Sequence, residues 1–81
     1  MRIQILGAGC QNCRRVAANA EQAVRELGLS TEVEKVEDIQ EIVKFQVITL
    51  PALVVDGQVK TLGRIPSVKE IKEIIGGTIK T

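Results

Sequence analysis

The chain has 81 residues and an almost neutral charge, with 11 lysines and arginines against 10 aspartates and glutamates. This balance argues against nucleic acid as the main partner, and an aromatic content of 1% leaves no stacking platform for single strands. No apolar run approaches the roughly 18 residues of a membrane span. The first residues do not resemble a signal peptide. We therefore expect a cytoplasmic protein without membrane contacts, monomeric and folded as a single domain over residues 1–81.

The first half of the chain predicts two strands and two helices. Arg2 to Leu6 is a short buried strand, followed by a flexible turn at residues 7–9. From Gln11 to Leu27, small and apolar residues recur every three or four positions, which indicates a helix. Thr31 to Val36 predicts an edge strand because charged residues alternate with apolar ones. Asp38 and Glu41 form a capping-box start for a short helix whose apolar face carries Ile39, Ile42 and Val43.

The second half predicts a hairpin and a final helix. Ala52 to Val55 is a compact apolar strand, Asp56-Gly57 is a strong turn signal, and Gln58 to Leu62 is the return strand. A second capping box at Ser67 starts the last helix, which we expect to stop at the glycine pair 76–77 and leave residues 78–81 frayed.

These elements predict an α/β fold of order β-α-β-α-β-β-α. Right-handed crossovers would place the first two crossover units on a mostly parallel sheet, and the hairpin would add one antiparallel edge. The result is a four-stranded mixed sheet with helices on both faces.

The chain's two cysteines, Cys10 and Cys13, stand three positions apart at the start of the long predicted helix. The first N–H groups of a helix have no internal partners, and the helix dipole adds positive potential, so both favour a thiolate there. Cys13 lies one turn inside and is less open. Cys10 would therefore attack a substrate disulfide, and Cys13 would resolve the mixed disulfide. The exchange moves electrons between sulfur atoms and requires no cofactor.

A second set of residues, Thr49, Leu50 and Pro51, precedes the apolar strand. A proline at the entry to a central strand is unusual because it cannot donate to the sheet. A cis bond between Leu50 and Pro51 would explain it. The backbone of Leu50 would then be free to bind an extended substrate beside the cysteines, with Thr49 in a minor role.

In these motifs the chain resembles the small archaeal and bacterial thioredoxin-like proteins, from residue 1 to about residue 76. The shared features are the C-x-x-C, the loop proline followed by Ala52-Leu53-Val54-Val55, the Asp56-Gly57 hairpin and Gly63 after the final strand. The resemblance implies a thioredoxin-like fold and a thiol–disulfide oxidoreductase. It also implies disulfide-containing protein substrates and a reductase that returns electrons. We expect electron exchange with protein or small-molecule disulfides, and a thioredoxin-reductase-like or other electron donor.

The chain departs from the main thioredoxins at three places. Gln11-Asn12 replaces Gly-Pro between the cysteines, and no tryptophan precedes Cys10. Gln4 stands where thioredoxins often carry a buried acid that helps move the proton of the resolving cysteine. The resemblance therefore leaves the route of that proton open.

Two other interpretations of the cysteines remain. Two soft thiolates could hold copper(I) or arsenite, as in copper-chaperone-like domains, which also place C-x-x-C after their first strand. Those domains run β-α-β-β-α-β and end on a strand, unlike the order predicted for this chain. A structural disulfide is the third interpretation, although so short a loop restrains little of the chain.

Overall fold

The computed structural model describes residues 1–7, 11–47 and 49–79. Its elements are β1 (Ile3–Leu6), α1 (Gln11–Glu26), β2 (Val33–Val36), α2 (Ile39–Val43), β3 (Ala52–Val55), β4 (Gln58–Leu62) and α3 (Val68–Ile79). The predicted element order is confirmed, and the strands of the hairpin have the predicted bounds. Asp56 and Gly57 both have positive φ, 51° and 81°, which is the backbone of a type I′ turn.

The sheet has the strand order β2-β1-β3-β4. β1 pairs with β2 in parallel and with β3 in antiparallel orientation, and β3 pairs with β4 in antiparallel orientation. The predicted mixed sheet is confirmed, and so is the edge position of β2. The expectation of a mostly parallel sheet is wrong, because β3 runs against β1.

The direction of β3 has a physical reason in the length of α2. Its 5 residues rise about 7.5 Å, whereas a four-residue strand spans about 13 Å. The helix does not carry the chain back along the sheet. β3 therefore begins at the end where β1 and β2 finish, with Ala52 opposite Leu6.

Helices α1 and α3 cover one face of the sheet. The buried side chains of α1 follow the predicted helical spacing, and several are alanines, which allow the helix to approach the strands closely. They pack with Ile71 and Ile75 of α3 and with Leu53 of β3. The main core therefore lies between these two helices and the sheet. The packing of α1 against the strands also fixes the position of its first turn.

The opposite face is covered by α2 and the segment after it. Ile42 packs with Leu6, Ala52 and Val54, and Phe45 and Val47 lie partly buried against them. Ile39 and Val43 expose 60% and 63% of their surface, so the apolar face expected for this helix contributes one side chain to the core. Helices on both faces of the sheet are confirmed.

The helix ends follow the predicted local chemistry at two of the three signals named from the sequence. The Asp38 carboxylate accepts a hydrogen bond from the Gln40 N–H at 2.9 Å, and the Ser67 hydroxyl accepts one from the Glu70 N–H at 3.1 Å. The predicted stop of α3 at its two glycines is wrong, because the helix continues through them to Ile79. Neither glycine takes the left-handed conformation by which glycine ends a helix. Within the described ranges, no helix is long and apolar enough to cross a bilayer.

Exposed ion pairs make the stability of the fold depend on pH in the acid range. Hydrogen bonds from Lys72, Arg2 and Arg64 lower the pKa values of the Glu26, Glu34 and Glu70 carboxyls, respectively, below their ordinary 4.5. A lowered pKa stabilises the folded state above the unfolded value and loses that contribution as pH falls below it. We expect the urea concentration at the midpoint of unfolding to stay constant between pH 6 and pH 5 and to decrease from pH 4.5 to pH 3. Because the pairs are exposed, the Glu70→Gln variant should flatten the fall only slightly; a midpoint that rises on acidification would contradict this.

Candidate active site

The end of the sheet where β1 finishes carries the described residues of the candidate site. Cys13 lies in the first turn of α1, is 6% exposed and is disulfide-bonded. Cys10, the predicted nucleophile, lies outside the described residues. The structure therefore places one member of the predicted pair, at the end of a helix whose first turn contains no acidic residue.

Gly7 lies directly against the sulfur of Cys13. A Cβ atom added at Gly7 would stand 2.2 Å from Cys13 Sγ and 2.9 Å from Cys13 Cβ, so only glycine fits there. Its N–H donates to the Val36 carbonyl at 3.0 Å, which extends the pairing of β1 with β2 by one residue. The sequence placed Gly7 in a flexible turn and missed this role. The available signal was a glycine directly after a buried strand, which often marks a close approach.

The proline loop lies at the same end of the sheet. The Leu50–Pro51 peptide bond is cis, Pro51 is buried and Leu50 is 37% exposed. Leu6 pairs with Ala52, so the register places Gly7 and Pro51 as neighbours one residue beyond the strands. Among the described residues, the backbone of Leu50 forms no hydrogen bond with another backbone group. The fold thus brings the sulfur of Cys13 and the proline loop together.

Gly63 holds the loop from the other side. Its N–H donates to the Pro51 carbonyl at 2.9 Å, and its φ of 67° lies in the left-handed region. A Cβ atom at this position would also stand 2.5 Å from Thr49 Cγ2. Thr49 and Pro51 are therefore fixed against β4 by Gly63. The sequence indicated Gly63 as a turn or bulge requirement or as a site of close approach to a partner.

Gln4 does not reach Cys13. Its strand neighbours Ile3 and Ile5 belong to the core beneath α1 and α3, so its side chain lies on the α2 face, where it lines a cavity of about 610 Å³ together with Arg2, Glu34 and Phe45. The position at which thioredoxins often carry an acid is therefore on the wrong side of this sheet to exchange a proton with Cys13.

The described residues contain no group of three or more histidine, cysteine, aspartate or glutamate side chains able to hold a metal ion. Cys10 is not among these residues.

Comparison with known proteins decides the family. Residues 1–76 match the model of the thioredoxin domain. The chain belongs to the thioredoxin family. It is 45% identical over 75 residues to a thioredoxin of Methanothermobacter thermautotrophicus, covering 93% of this chain and 97% of the relative. It is 42% identical over 71 residues to a thioredoxin of Methanocaldococcus jannaschii, covering 88% and 81%.

Thioredoxin family membership confirms two predictions made from the sequence. The α/β fold with a four-stranded mixed sheet is the thioredoxin-like fold, and the chain is a thiol–disulfide oxidoreductase. Neither relative supports the alternative of a soft-metal or metalloid carrier.

Proposed function

We propose that this thioredoxin reduces disulfide bonds of cytoplasmic proteins through Cys10 and Cys13, as a monomer and without a cofactor. A separate thioredoxin-reductase-like donor returns the electrons. The observation that carries the proposal is the position of Cys13: its sulfur is buried at the start of α1, in a disulfide, at the sheet end that also carries the proline loop.

The reaction runs in two exchanges. The Cys10 thiolate attacks one sulfur of the substrate disulfide, so a Cys10–substrate bond forms and the substrate bond breaks. The departing substrate thiolate takes a proton. Cys13 then loses its proton and attacks Cys10, which forms the Cys10–Cys13 disulfide and releases the second substrate thiol. The substrate gains two electrons, and the protein loses two.

The burial of Cys13 supports this division of roles. The Cys13 residue is 6% exposed, so it is shielded from a bulky protein disulfide, whereas a cysteine three positions earlier in the sequence can reach it. Cys10 is therefore proposed as the cysteine that meets the substrate. Cys13 acts only after the mixed disulfide has formed.

The loop of Thr49, Leu50 and Pro51 is proposed to hold the substrate. The free backbone groups of Leu50 can pair with an extended segment on either side of the substrate cysteine. The exposed side chains of Leu50, Leu62 and Ile65 offer apolar contact without a charge requirement. These apolar side chains can contact substrate segments of varied sequence. Hydrogen bonds to the Leu50 backbone would contribute affinity, and the cysteines would select for a disulfide.

Trapping the intermediate tests the proposal. We expect the Cys13→Ser variant to accumulate a mixed disulfide between Cys10 and insulin, because the resolving sulfur is absent. Cys10→Ser should form none and should lose reductase activity. Mass spectrometry of alkylated, non-reduced digests identifies the linked cysteine. A mixed disulfide located at Cys13 in the Cys10→Ser variant, formed as fast as in the parent, would reverse the assignment.

A further inference from the structure

The second exchange raises a question that the proposed function leaves open: which group takes the proton of Cys13. A charged thiolate is disfavoured where protein excludes water, and Cys13 is buried. A base within reach, directly or through one water, typically accelerates such a proton transfer. Gln4 cannot serve, since it lies on the opposite face of the sheet.

A small cavity adjoins Cys13 on the side of β2. Its volume is about 90 Å³, enough for about three water molecules at ~30 Å³ each. The described residues of its lining are Ile5, Gly7, Cys13, Arg14, Lys35 and Glu37. Among these, Glu37 supplies the only carboxylate.

The strand register places Glu37 next to Gly7. Leu6 pairs with Val36 in the parallel register, and the Gly7 N–H donates to the Val36 carbonyl. Glu37 is the next residue and therefore lies across from Gly7. Gly7 is the residue that touches Cys13 Sγ.

Charged side chains surround the cavity. Arg14 of α1 and Lys35 of β2 face the same space as Glu37. Among the described residues Glu37 forms no ion pair, in contrast to Glu26, Glu34, Glu41 and Glu70. Its oxygens are available to water in the cavity.

We propose that Glu37 accepts the proton of Cys13 through cavity water while Cys13 attacks Cys10. The proton leaves Cys13 Sγ for a Glu37 carboxylate oxygen, and the electron pair left on Sγ forms the bond to Cys10. The Cys10–substrate bond breaks, and the substrate thiolate departs with that bond's electrons. Glu37 returns its proton to solvent afterwards. This inference rests on the proposed function, because it concerns the resolving step.

A stopped-flow experiment with 5,5′-dithiobis(2-nitrobenzoate) separates the two exchanges in the full chain. The first release of thionitrobenzoate reports attack by Cys10 and depends on reagent concentration. The second reports attack by Cys13 and does not. We expect Glu37→Gln to slow the second release about 100-fold at pH 6–7, the lower end of the range for general acid–base catalysis, and to leave the first release unchanged. The deficit should shrink toward pH 9 as hydroxide replaces the carboxylate, and Glu37→Asp should restore part of the rate.

Glu32→Gln is the matched control, since it removes the same charge from the same segment but Glu32 lines a different cavity with Glu21 and Arg25. Loss of a negative charge near Cys13 would by itself favour the thiolate and speed the second release. A slower release therefore has the opposite sign to a simple charge effect.

Two outcomes are distinguishable failures. In the first, the rate of the second release in Glu37→Gln matches that in Glu32→Gln within twofold across the pH range, while Cys13→Ser lacks the second release. Glu37 is then not the proton acceptor, and the proposed function stands. If the parent shows a second release that Cys13→Ser also shows, the resolving role of Cys13 fails, and this inference fails with it.

Discussion

Gly7→Ala should lower the free energy of unfolding of the oxidised protein by about 1–3 kcal/mol, the usual cost of overpacking a core. The added methyl would stand 2.2 Å from Cys13 Sγ, so β1 or the first turn of α1 must shift. The cost should be smaller in the reduced protein, because an unbonded Cys13 side chain can rotate away. Urea unfolding of the two redox forms measures both values.

Gly76→Ala provides the control for this substitution. A Cβ atom at Gly76 meets nothing within 4 Å, and the residue lies inside α3. Alanine there should stabilise the protein by about 0.5–1 kcal/mol, as expected for replacing a helical glycine. Equal effects of the two substitutions would show that the contact with Cys13 does not cause the loss of stability. A Gly7→Ala cost that is larger in the reduced form would show the same.

Leu53→Ala should destabilise the protein by about 2–5 kcal/mol, the range for removing a large buried aliphatic side chain. Leu53 has 0% exposure and packs in the main core beneath α1 and α3. Domains have total stabilities of about 5–15 kcal/mol, so this loss is a large fraction of the whole. The urea midpoint at a fixed redox state is the measurement.

Leu62→Ala is the control on the neighbouring strand. Leu62 is 48% exposed, and a surface substitution typically changes stability by no more than about 0.5 kcal/mol. A Leu53→Ala midpoint indistinguishable from that of Leu62→Ala would mean that the core of this sheet is not packed as described.

The sequence by itself determined the features that depend on neighbouring residues. The hairpin at Asp56-Gly57 and the cap at Ser67 follow from turn and cap chemistry acting over two to four positions. The apolar face of α1 follows from helical spacing. The C-x-x-C at the start of that helix indicated thiol chemistry, because the thiolate preference arises within one turn.

Only the tertiary structure decided which distant segments meet. β3 runs against β1 because the short α2 does not carry the chain back along the sheet, and the pairing of strands far apart in the chain is not encoded in a local pattern. α3 continues past Gly76 and Gly77 because glycine permits the left-handed conformation without imposing it.

The environment of Cys13 likewise comes from packing rather than pattern. The contact with Gly7 and the shared cavity with Glu37 join parts of three elements, α1, β1 and the end of β2. A glycine after a strand and a glutamate after another are common in sequences. Their relation to the sulfur exists only once the parallel pairing of β1 and β2 places both beside the first turn of α1. Side-chain packing acts between residues far apart in the chain, so this part of the site could not be predicted from spacing alone.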